Sequence, residues 1–375
     1  MNMKQFALLL VFGVSLQAQA AGPEAIARSN RSLWPENIDS VSAYNRASRA
    51  EILVFASALG DIIELNDDEL KTTLKIKSLD RNAINTLKAR LQSQLLNNIK
   101  IAQSSCAPKE LFCSPINSAQ GLQEAGKRLS KELAEPYRPW FENANNFHRT
   151  YAQEMVRLAA LFSRVSSEIA TFDSSERNGT ELRDGHFLWT FDDGPSKPGG
   201  TSDALIATLA QHHIHAIFYT LGERMKSRLQ SESAPALQKM YADQCLASHG
   251  WVHESHQKME QWQSSITDTA ALLKENFPTL YRPFFRPPYG QRRDDSGPFF
   301  LKQGITVGLW NIDSQDWNVK LSEHDAAQRV FTLMLLWRKG VILFHDVHNK
   351  AVTALPWIME ASKAGEVHWD DCRTY

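Results

Sequence analysis

The chain has 375 residues, of which 43% are hydrophobic, so it is long enough for two domains and too apolar to be disordered. It carries 41 lysines and arginines against 42 acidic residues, and this balance gives no support for a polyanion-binding surface or a nucleic-acid partner. We therefore expect a globular protein whose substrate is not recognised by bulk charge.

The first twenty residues predict a secretory signal peptide. Met1 to Lys4 leads into the apolar run Phe6 to Leu16, and the small alanines at positions 18 and 20 favour cleavage before Ala21. This run is too short to span a bilayer, and no later stretch approaches the roughly 20 uncharged residues of a transmembrane helix. The sequence therefore predicts an exported protein, periplasmic or secreted, without a transmembrane segment.

Four cysteines in an exported chain permit two disulfides. Cys106 and Cys113 are the favoured pair because they flank a short loop that contains proline. A bond between Cys245 and Cys372 requires the chain end to return to the segment just before His249. For this second pair, free buried thiols remain the alternative.

A helical domain is predicted over residues 22–180. Apolar residues recur every three or four positions from Ile84 to Ile99, with polar residues between them, and similar patterns run from Val41 to Phe55 and from Tyr151 to Ile169. Such stripes are compatible with a cap over a cleft, a surface that docks on a cell wall or a binding site for a partner. The sequence does not choose among these roles.

A different kind of structure is predicted over residues 184–375, after the polar, turn-rich segment 173–180. Short apolar runs alternate there with helical patterns, which indicates a parallel sheet, and the length suits a closed barrel. The predicted strands are 186–190, 216–219, 283–285, 305–310 and 341–344, and the predicted helices are 202–210, 265–276 and 326–337.

An acidic pair and two histidines predict a hydrolytic metal centre in this domain. Asp192 and Asp193 follow the first apolar run, and His249 and His253 stand four residues apart. One carboxylate and two imidazoles around a divalent ion leave positions open for water and substrate, as in catalytic rather than structural sites. In this interpretation Asp193 binds the metal, and Asp192 is the spare carboxylate that acts in the reaction.

Polar residues also follow the other apolar runs, where a barrel places catalytic side chains. The five segments concerned are 190–195 (Thr-Phe-Asp-Asp-Gly-Pro), 249–253 (His-Gly-Trp-Val-His), 286–290 (Arg-Pro-Pro-Tyr-Gly), 313–317 (Asp-Ser-Gln-Asp-Trp) and 342–346 (Ile-Leu-Phe-His-Asp). Together and in this order they resemble the polysaccharide deacetylases of carbohydrate esterase family 4, the NodB-homology group. The resemblance covers residues 184–375, implies a distorted (β/α) barrel, and leaves the all-α domain before it unexplained.

The resemblance implies a role for each catalytic residue. Asp192 is then the general base, and Asp193, His249 and His253 are the metal ligands. The implied ion is Zn²⁺ before Co²⁺, Ni²⁺ or Mn²⁺, since the ligands are mixed nitrogen and oxygen donors. The other implied catalytic roles are an oxyanion donor at Tyr289, an arginine orienting the base at Arg286, a histidine that protonates the leaving amine at His345, and the acid that tunes this histidine at Asp316.

Substrate-binding residues are predicted beside these groups. Trp317 and Leu343 resemble the apolar walls that hold the acetyl methyl group, and Pro288 belongs to the same motif as Tyr289. Trp251 is a candidate for stacking on a sugar ring.

One position departs from the family pattern. Gly250 directly follows the first ligand histidine, where the family usually has serine or threonine. The lost hydroxyl predicts altered support of the metal, and a serine introduced at this position is expected to strengthen metal binding.

The function that these observations favour is metal-dependent removal of acetate from N-acetylglucosamine residues of peptidoglycan, a chitin-like polymer or a biofilm polymer. The alternatives are an O-acetyl esterase acting on xylan-like sugars and a catalytically idle cell-wall-binding protein. The complete set of motif side chains argues against the idle protein.

Overall fold

A computed structural model of the protein describes residues 25–104, 106–107, 110–162 and 171–375. The predicted signal peptide, residues 1–20, lies outside the described residues, as does the end of the helix predicted from Tyr151 to Ile169.

The first part of the described chain is helical, as predicted. Its helices are α1 (Val41–Ile63), α2 (Asp67–Leu74), α3 (Arg81–Ala102), α4 (Ala119–Glu132) and α5 (Arg138–Phe162). Polar side chains cap their first turns: the Ser40 side chain accepts a hydrogen bond from the amide of Ala43 at α1, and Asp80 accepts one from Ala83 at α3.

Helix α1 is the centre of this helical bundle. It is buried along nearly all of its surface because α3, α4 and α5 surround it on three sides and a helix of the second part covers the fourth. A helix that is covered on every side must satisfy its polar residues internally. The buried Glu51 accordingly contacts Arg31, Trp140 and His148.

The second part forms a parallel sheet with helices between the strands, which confirms the predicted (β/α) architecture. The strands are β1 (Glu176–Arg177), β2 (His186–Asp192), β3 (Ile217–Thr220), β4 (Cys245–Ser248), β5 (Tyr281–Phe285), β6 (Thr306–Gly308), β7 (Ile312–Asp313), β8 (Gly340–His345) and β9 (His368–Trp369). Their order is β1-β6-β5-β4-β3-β2-β8-β7, with β9 also paired to β2. The barrel is therefore open between β1 and β7 in the described residues, and the prediction of a closed barrel from length was wrong because length does not fix which edge strands pair.

Helices follow most of these strands along the chain. They are α6 (Thr201–Gln211), α7 (Gly222–Ser231), α8 (Ala234–Met240), α9 (Trp262–Asn276), α10 (Gly297–Gln303), α11 (Glu323–Trp337) and α12 (Lys350–Ser362). Across the described ranges, no helix is both long enough and apolar enough to cross a membrane.

Strand β1 lies inside the polar segment 173–180, which hydropathy alone predicts as a linker. It pairs with β6 through backbone hydrogen bonds, which do not require apolar side chains. Glu176 is nevertheless almost fully buried, because its carboxylate forms an ion pair with the equally buried Arg292. A buried ion pair carries no hydropathy signal, and this explains why the pattern missed the strand.

Both disulfides are present. Cys106 is bonded to Cys113 and Cys245 to Cys372, with Cα–Cα distances of 6.1 and 6.0 Å. The first bond confirms the favoured pair. The second ties the start of β4 to the chain end, so the alternative of free thiols is excluded.

The helical bundle and the barrel share one apolar core. Helices α1 and α3 pack against α11 of the barrel, where the ring of Phe55 lies 5.5 Å from that of Trp337. A polar contact crosses the same boundary, since Arg338, which is paired with Asp184 within the barrel, also donates a hydrogen bond to Asn45 on α1. The bundle is therefore fastened to the face of the barrel that α11 forms.

Candidate active site

The predicted catalytic residues lie at or just beyond the carboxyl ends of neighbouring strands. Strand β2 ends at Asp192 and β8 at His345, and these two residues are register partners in the sheet. His249 directly follows β4 and Arg286 directly follows β5. Because the strands are parallel, all these side chains start from the same edge of the barrel.

Asp193, His249 and His253 form a cluster of three potential metal ligands. The Nε2 atoms of His249 and His253 lie 3.3 and 3.4 Å from Oδ1 of Asp193, and one ligand atom from each residue falls within 4.8 Å of the others. Oδ1 of Asp193 is buried and has no hydrogen-bond partner. A buried carboxylate oxygen facing two imidazole nitrogens fits a divalent cation such as zinc.

The orientation of the His249 ring suits a residue that binds a metal ion. Its Nδ1 lies 2.7 Å from the carbonyl oxygen of Arg286, so this nitrogen carries the proton and donates it to the carbonyl. The Nε2 lone pair is thereby left on the side of Asp193. This hydrogen bond is the usual support that fixes the tautomer of a metal-binding histidine.

The protonation states of the cluster also suit metal binding. Burial opposes the charge of Asp193, but its contact with His249 holds the pKa of the carboxyl well below its usual range. Burial, together with the neighbouring His249, lowers the pKa of His253 to about 4. At neutral pH the cluster therefore presents a carboxylate and a neutral imidazole at these two positions.

Asp192 lies beside the cluster and is held by Arg286. One Nη of this arginine lies 2.9 Å from Oδ1 of Asp192 and also donates to Thr190, while Oδ2 of Asp192 lies 3.9 Å from Nε2 of His249. Arg286 is fully buried and its guanidinium stacks on Tyr219 at 4.1 Å. With no freedom to move, the guanidinium aims the carboxylate at the space next to the metal ligands.

His345 and Asp316 form a second pair at the same edge. Nδ1 of His345 lies 2.7 Å from Oδ1 of Asp316, and the backbone amide of His345 donates to Oδ2 at 2.9 Å. Burial disfavours the imidazolium, but the Asp316 carboxylate outweighs it and raises the pKa of His345 to about 10. This histidine is therefore protonated at neutral pH, as a proton donor must be.

The predicted substrate-binding residues differ in exposure. Tyr289 and Trp317 are 48% and 38% exposed, and the Tyr289 ring lies 4.6 Å from that of His253. Leu343 and Pro288 are buried. The two exposed rings are therefore the ones available to a large substrate.

Tyr289 has an uncommon backbone conformation, with a φ of 61°. A non-glycine residue at positive φ is strained and persists only where its surroundings hold it, which is typical of functional sites. Such a turn can aim a backbone amide at the cleft beside His253.

Trp251, the candidate for sugar stacking, packs against helix α7. A methyl group at Gly222 would lie 2.4 Å from its ring, and Nζ of Lys226 lies 5.8 Å from the ring centre. Part of the ring surface is thus occupied by the protein itself.

His256 and Ser265 support the ligand loop, and the sequence motifs did not identify them. Oγ of Ser265 accepts a hydrogen bond from the Trp251 amide and lies 3.1 Å from Nε2 of the buried His256. The amide of Gly250 donates to Oγ of Ser248. Hydroxyl groups do support the loop, but they come from residues 248 and 265 and not from residue 250.

We expect Gly250→Ser to weaken metal binding, which reverses the expectation from the family pattern. Gly250 has a φ of +84°, and a Cβ there would lie 2.5 Å from the His256 ring. The backbone strain costs about 1–3 kcal/mol, and displacing His256 is expected to lower zinc affinity by about 10- to 100-fold. Calorimetric zinc titration measures the affinity.

Gly304→Ser is the matched control for this substitution. Gly304 also has positive φ, at +62°, but a Cβ there meets no atom within 4 Å. The control therefore carries strain without the clash, and we expect normal zinc affinity. Zinc binding by Gly250→Ser as tight as that of the wild type would contradict the proposed role of His256.

Comparison with known proteins agrees with this geometry. A sequence model described as polysaccharide deacetylase matches residues 180–308, which span β2 to β6 and hold both the acidic pair and the two ligand histidines. This chain contains a polysaccharide deacetylase domain. The family assignment made from the five motifs is confirmed.

Two curated relatives of the deacetylase domain illustrate the family. A peptidoglycan-N-acetylglucosamine deacetylase of Bacillus cereus is 27% identical over 218 residues, covering 56% of this chain and 76% of the relative. Chitin deacetylase 1 of Saccharomyces cerevisiae is 26% identical over 195 residues, covering 49% of this chain and 59% of the relative.

A solved structure of the same group is the family 4 carbohydrate esterase from Streptomyces lividans in complex with acetate. It is 27% identical to this chain, the match covers 49% of this chain and 91% of the solved chain, and the two superpose with a TM-score of 0.43.

Proposed function

We propose that this protein is an exported, metal-dependent deacetylase that removes N-acetyl groups from N-acetylglucosamine residues of a polysaccharide and releases acetate. One observation carries the proposal. Asp193, His249 and His253 converge on one point, while the adjacent Asp192 is held by Arg286 and takes no part in that cluster. The relatives described above, a peptidoglycan-N-acetylglucosamine deacetylase and a chitin deacetylase, support the same substrate class.

The residues present fit a divalent ion, and Asp193, His249 and His253 would hold it. When bound, the ion supplies Lewis-acid chemistry, lowering the pKa of water from about 15.7 to roughly 7 and polarising a carbonyl. We propose zinc, since mixed nitrogen and oxygen donors suit it.

Asp192 acts as the general base in this proposal. It accepts the proton of the water that attacks the acetyl carbonyl, and the ion pair with Arg286 keeps the carboxylate aimed at that water. The fork of an arginine fixes a carboxylate more firmly than the single ammonium of a lysine does. The negative oxygen that forms on the carbonyl accepts a hydrogen bond from the backbone amide of Tyr289.

His345 completes the reaction by giving a proton to the leaving nitrogen. Its raised pKa keeps it protonated until the C–N bond breaks, and Asp316 holds the ring through Nδ1 so that Nε2 carries the transferable proton. An amine is a poor leaving group without this proton, whereas an alkoxide needs it less. The His345–Asp316 pair therefore favours an N-deacetylase over an O-acetyl esterase.

Acetate release is the direct test. We expect purified protein with zinc to release acetate from N-acetylglucosamine oligomers or peptidoglycan, and to lose this activity after chelation until zinc is restored. Acetylated xylan is the control substrate, and faster release from xylan would favour the esterase. Failure to release acetate from any of these polymers would refute the proposal.

Export is proposed on the signal-like first twenty residues, and the two disulfides support an oxidising compartment. Sequencing the amino terminus of exported protein checks this, since the mature chain should begin at Ala21.

A further inference from the structure

The loop that carries Asp316 and Trp317 is held by parts of the protein outside the deacetylase motifs. This loop, residues 314–322, connects β7 to α11, and we call it the dyad loop. From the barrel side, Nζ of Lys350 donates to the carbonyl oxygens of Asp316 and Asn318 at 2.8 and 2.7 Å. A further contact leads from the loop to the amino-terminal part of the chain.

Arg329 joins the base of the dyad loop to the helical bundle. Its Nε donates to the carbonyl oxygen of Asp313, the last residue of β7, at 2.8 Å, and one Nη donates to that of Ala27 at 3.4 Å. The guanidinium is 5.8 and 5.5 Å from the ring centres of Phe147 and Tyr151 on α5. Arg329 is 2% exposed, so all of these contacts form away from bulk water.

Arg329 contacts the segment of residues 27–31 through Ala27, and this segment also contacts the dyad loop. The exposed Arg28 donates a hydrogen bond to the carbonyl oxygen of Lys320 in that loop. The segment is itself attached on both sides: the Ser29 hydroxyl lies 2.7 Å from that of Thr332 on α11, and the Asn30 amide donates to Asn143 on α5.

We propose that the helical bundle positions the His345–Asp316 pair by bracing the dyad loop through Arg329 and Arg28. The inference rests on the proposed function for its catalytic meaning, and it assigns the bundle a role that the sequence left open. Displacing a catalytic group by about 1 Å can cost about 10²-fold in rate, so a loop that carries such a group benefits from an external brace in addition to its own hydrogen bonds. Arg329 and Arg28 are positioning residues here, since neither touches the reacting atoms.

Hydrogen exchange tests the brace without reference to activity. The loop amides of Asn318 and Leu321 are hydrogen-bonded within the loop, so their exchange reports its local opening. In the full mature chain we expect Arg329→Lys to raise exchange across residues 314–322 by about 10-fold, because lysine cannot match the arginine fork. The surface variant Arg28→Ala should raise it by about 3-fold without affecting folding.

Arg49→Lys is the matched control. Arg49 is also fully buried in the bundle and also donates to a backbone carbonyl, that of Ala102 at 2.8 Å, but it contacts no residue of the dyad loop in the described structure. We expect the control to lower overall stability without selective exchange at 314–322. Unchanged exchange in both Arg28→Ala and Arg329→Lys, or equal loop exchange in the control, would overturn the brace.

Kinetics then connects the brace to catalysis. We expect Arg329→Lys to lower kcat by about 10-fold and to move the alkaline limb of the pH profile to lower pH, while Arg49→Lys leaves the profile unchanged. An inactive wild type would refute the proposed function alone, since the exchange result still decides the brace. Faster loop exchange with an unchanged pH profile would refute the positioning role.

Discussion

Replacing Asp192 with asparagine is expected to lower kcat by about 10²- to 10⁴-fold while the bound metal stays in place. Asparagine keeps the shape of aspartate and can still accept the 2.9 Å hydrogen bond from Arg286, so the site should retain its geometry. It cannot take a proton from water. Because Asp193, His249 and His253 are unchanged, metal content should remain that of the wild type.

Asp184→Asn is the control for this change. Asp184 is also paired with an arginine, Arg338, at 2.7 and 2.8 Å, but it lies before β2, at the opposite end of the strand from the site. We expect its kcat to match the wild type. A metal-loaded Asp192→Asn protein with kcat within about 3-fold of the wild type would mean that another group is the base.

Replacing Asp316 with asparagine is expected to move the alkaline limb of activity downward by about two pH units or more. A general acid works only while protonated, so activity falls as the pH rises through the pKa of His345. Asp316 raises that pKa to about 10, against burial that lowers it. Without the carboxylate, the pKa should fall to about 6.5 or below.

The same variant should therefore lose most activity at pH 8, by about 30-fold or more, and regain part of it at lower pH. Steady-state rates between pH 5 and 10 measure the shift. Asp370→Asn is the matched control, because Asp370 forms a similar pair with His186, at 2.6 Å, at the other end of β2. An alkaline limb that stays in place in Asp316→Asn would remove His345 as the proton donor on amide substrates.

Much of this site could be predicted from sequence because barrel strands carry their chemistry at one end. Asp192, Arg286 and His345 each come at the end of an apolar run. These runs lie in strands β2, β5 and β8, and each polar residue is the last residue of its strand or directly follows it. Three helices of the bundle, α1, α3 and α5, were also predictable in part, since apolar residues recur every three to four positions within them. These signals are short spacings of residue types along the chain, so a single sequence is enough to detect them.

Other features could not be predicted from the sequence, and the reason is again physical. Strand β1 is stabilised by backbone pairing and by the buried pair of Glu176 with Arg292, and neither feature produces an apolar run. At Gly250 the sequence shows the missing hydroxyl and not the His256 ring that fills the space beside it, so the structure reverses the expected effect of a serine there.

By itself the sequence determined the family and predicted the helical and barrel halves and the candidate residues for metal binding and proton transfer, because these depend on residue type and short spacings. Only the tertiary structure decided which residues hold those groups in place. Arg329 and Ala27 are 302 positions apart, and Arg286 reaches Asp192 across 94. Hydrogen bonds and ring contacts over such separations depend on how the chain packs, and no periodicity within one segment encodes them.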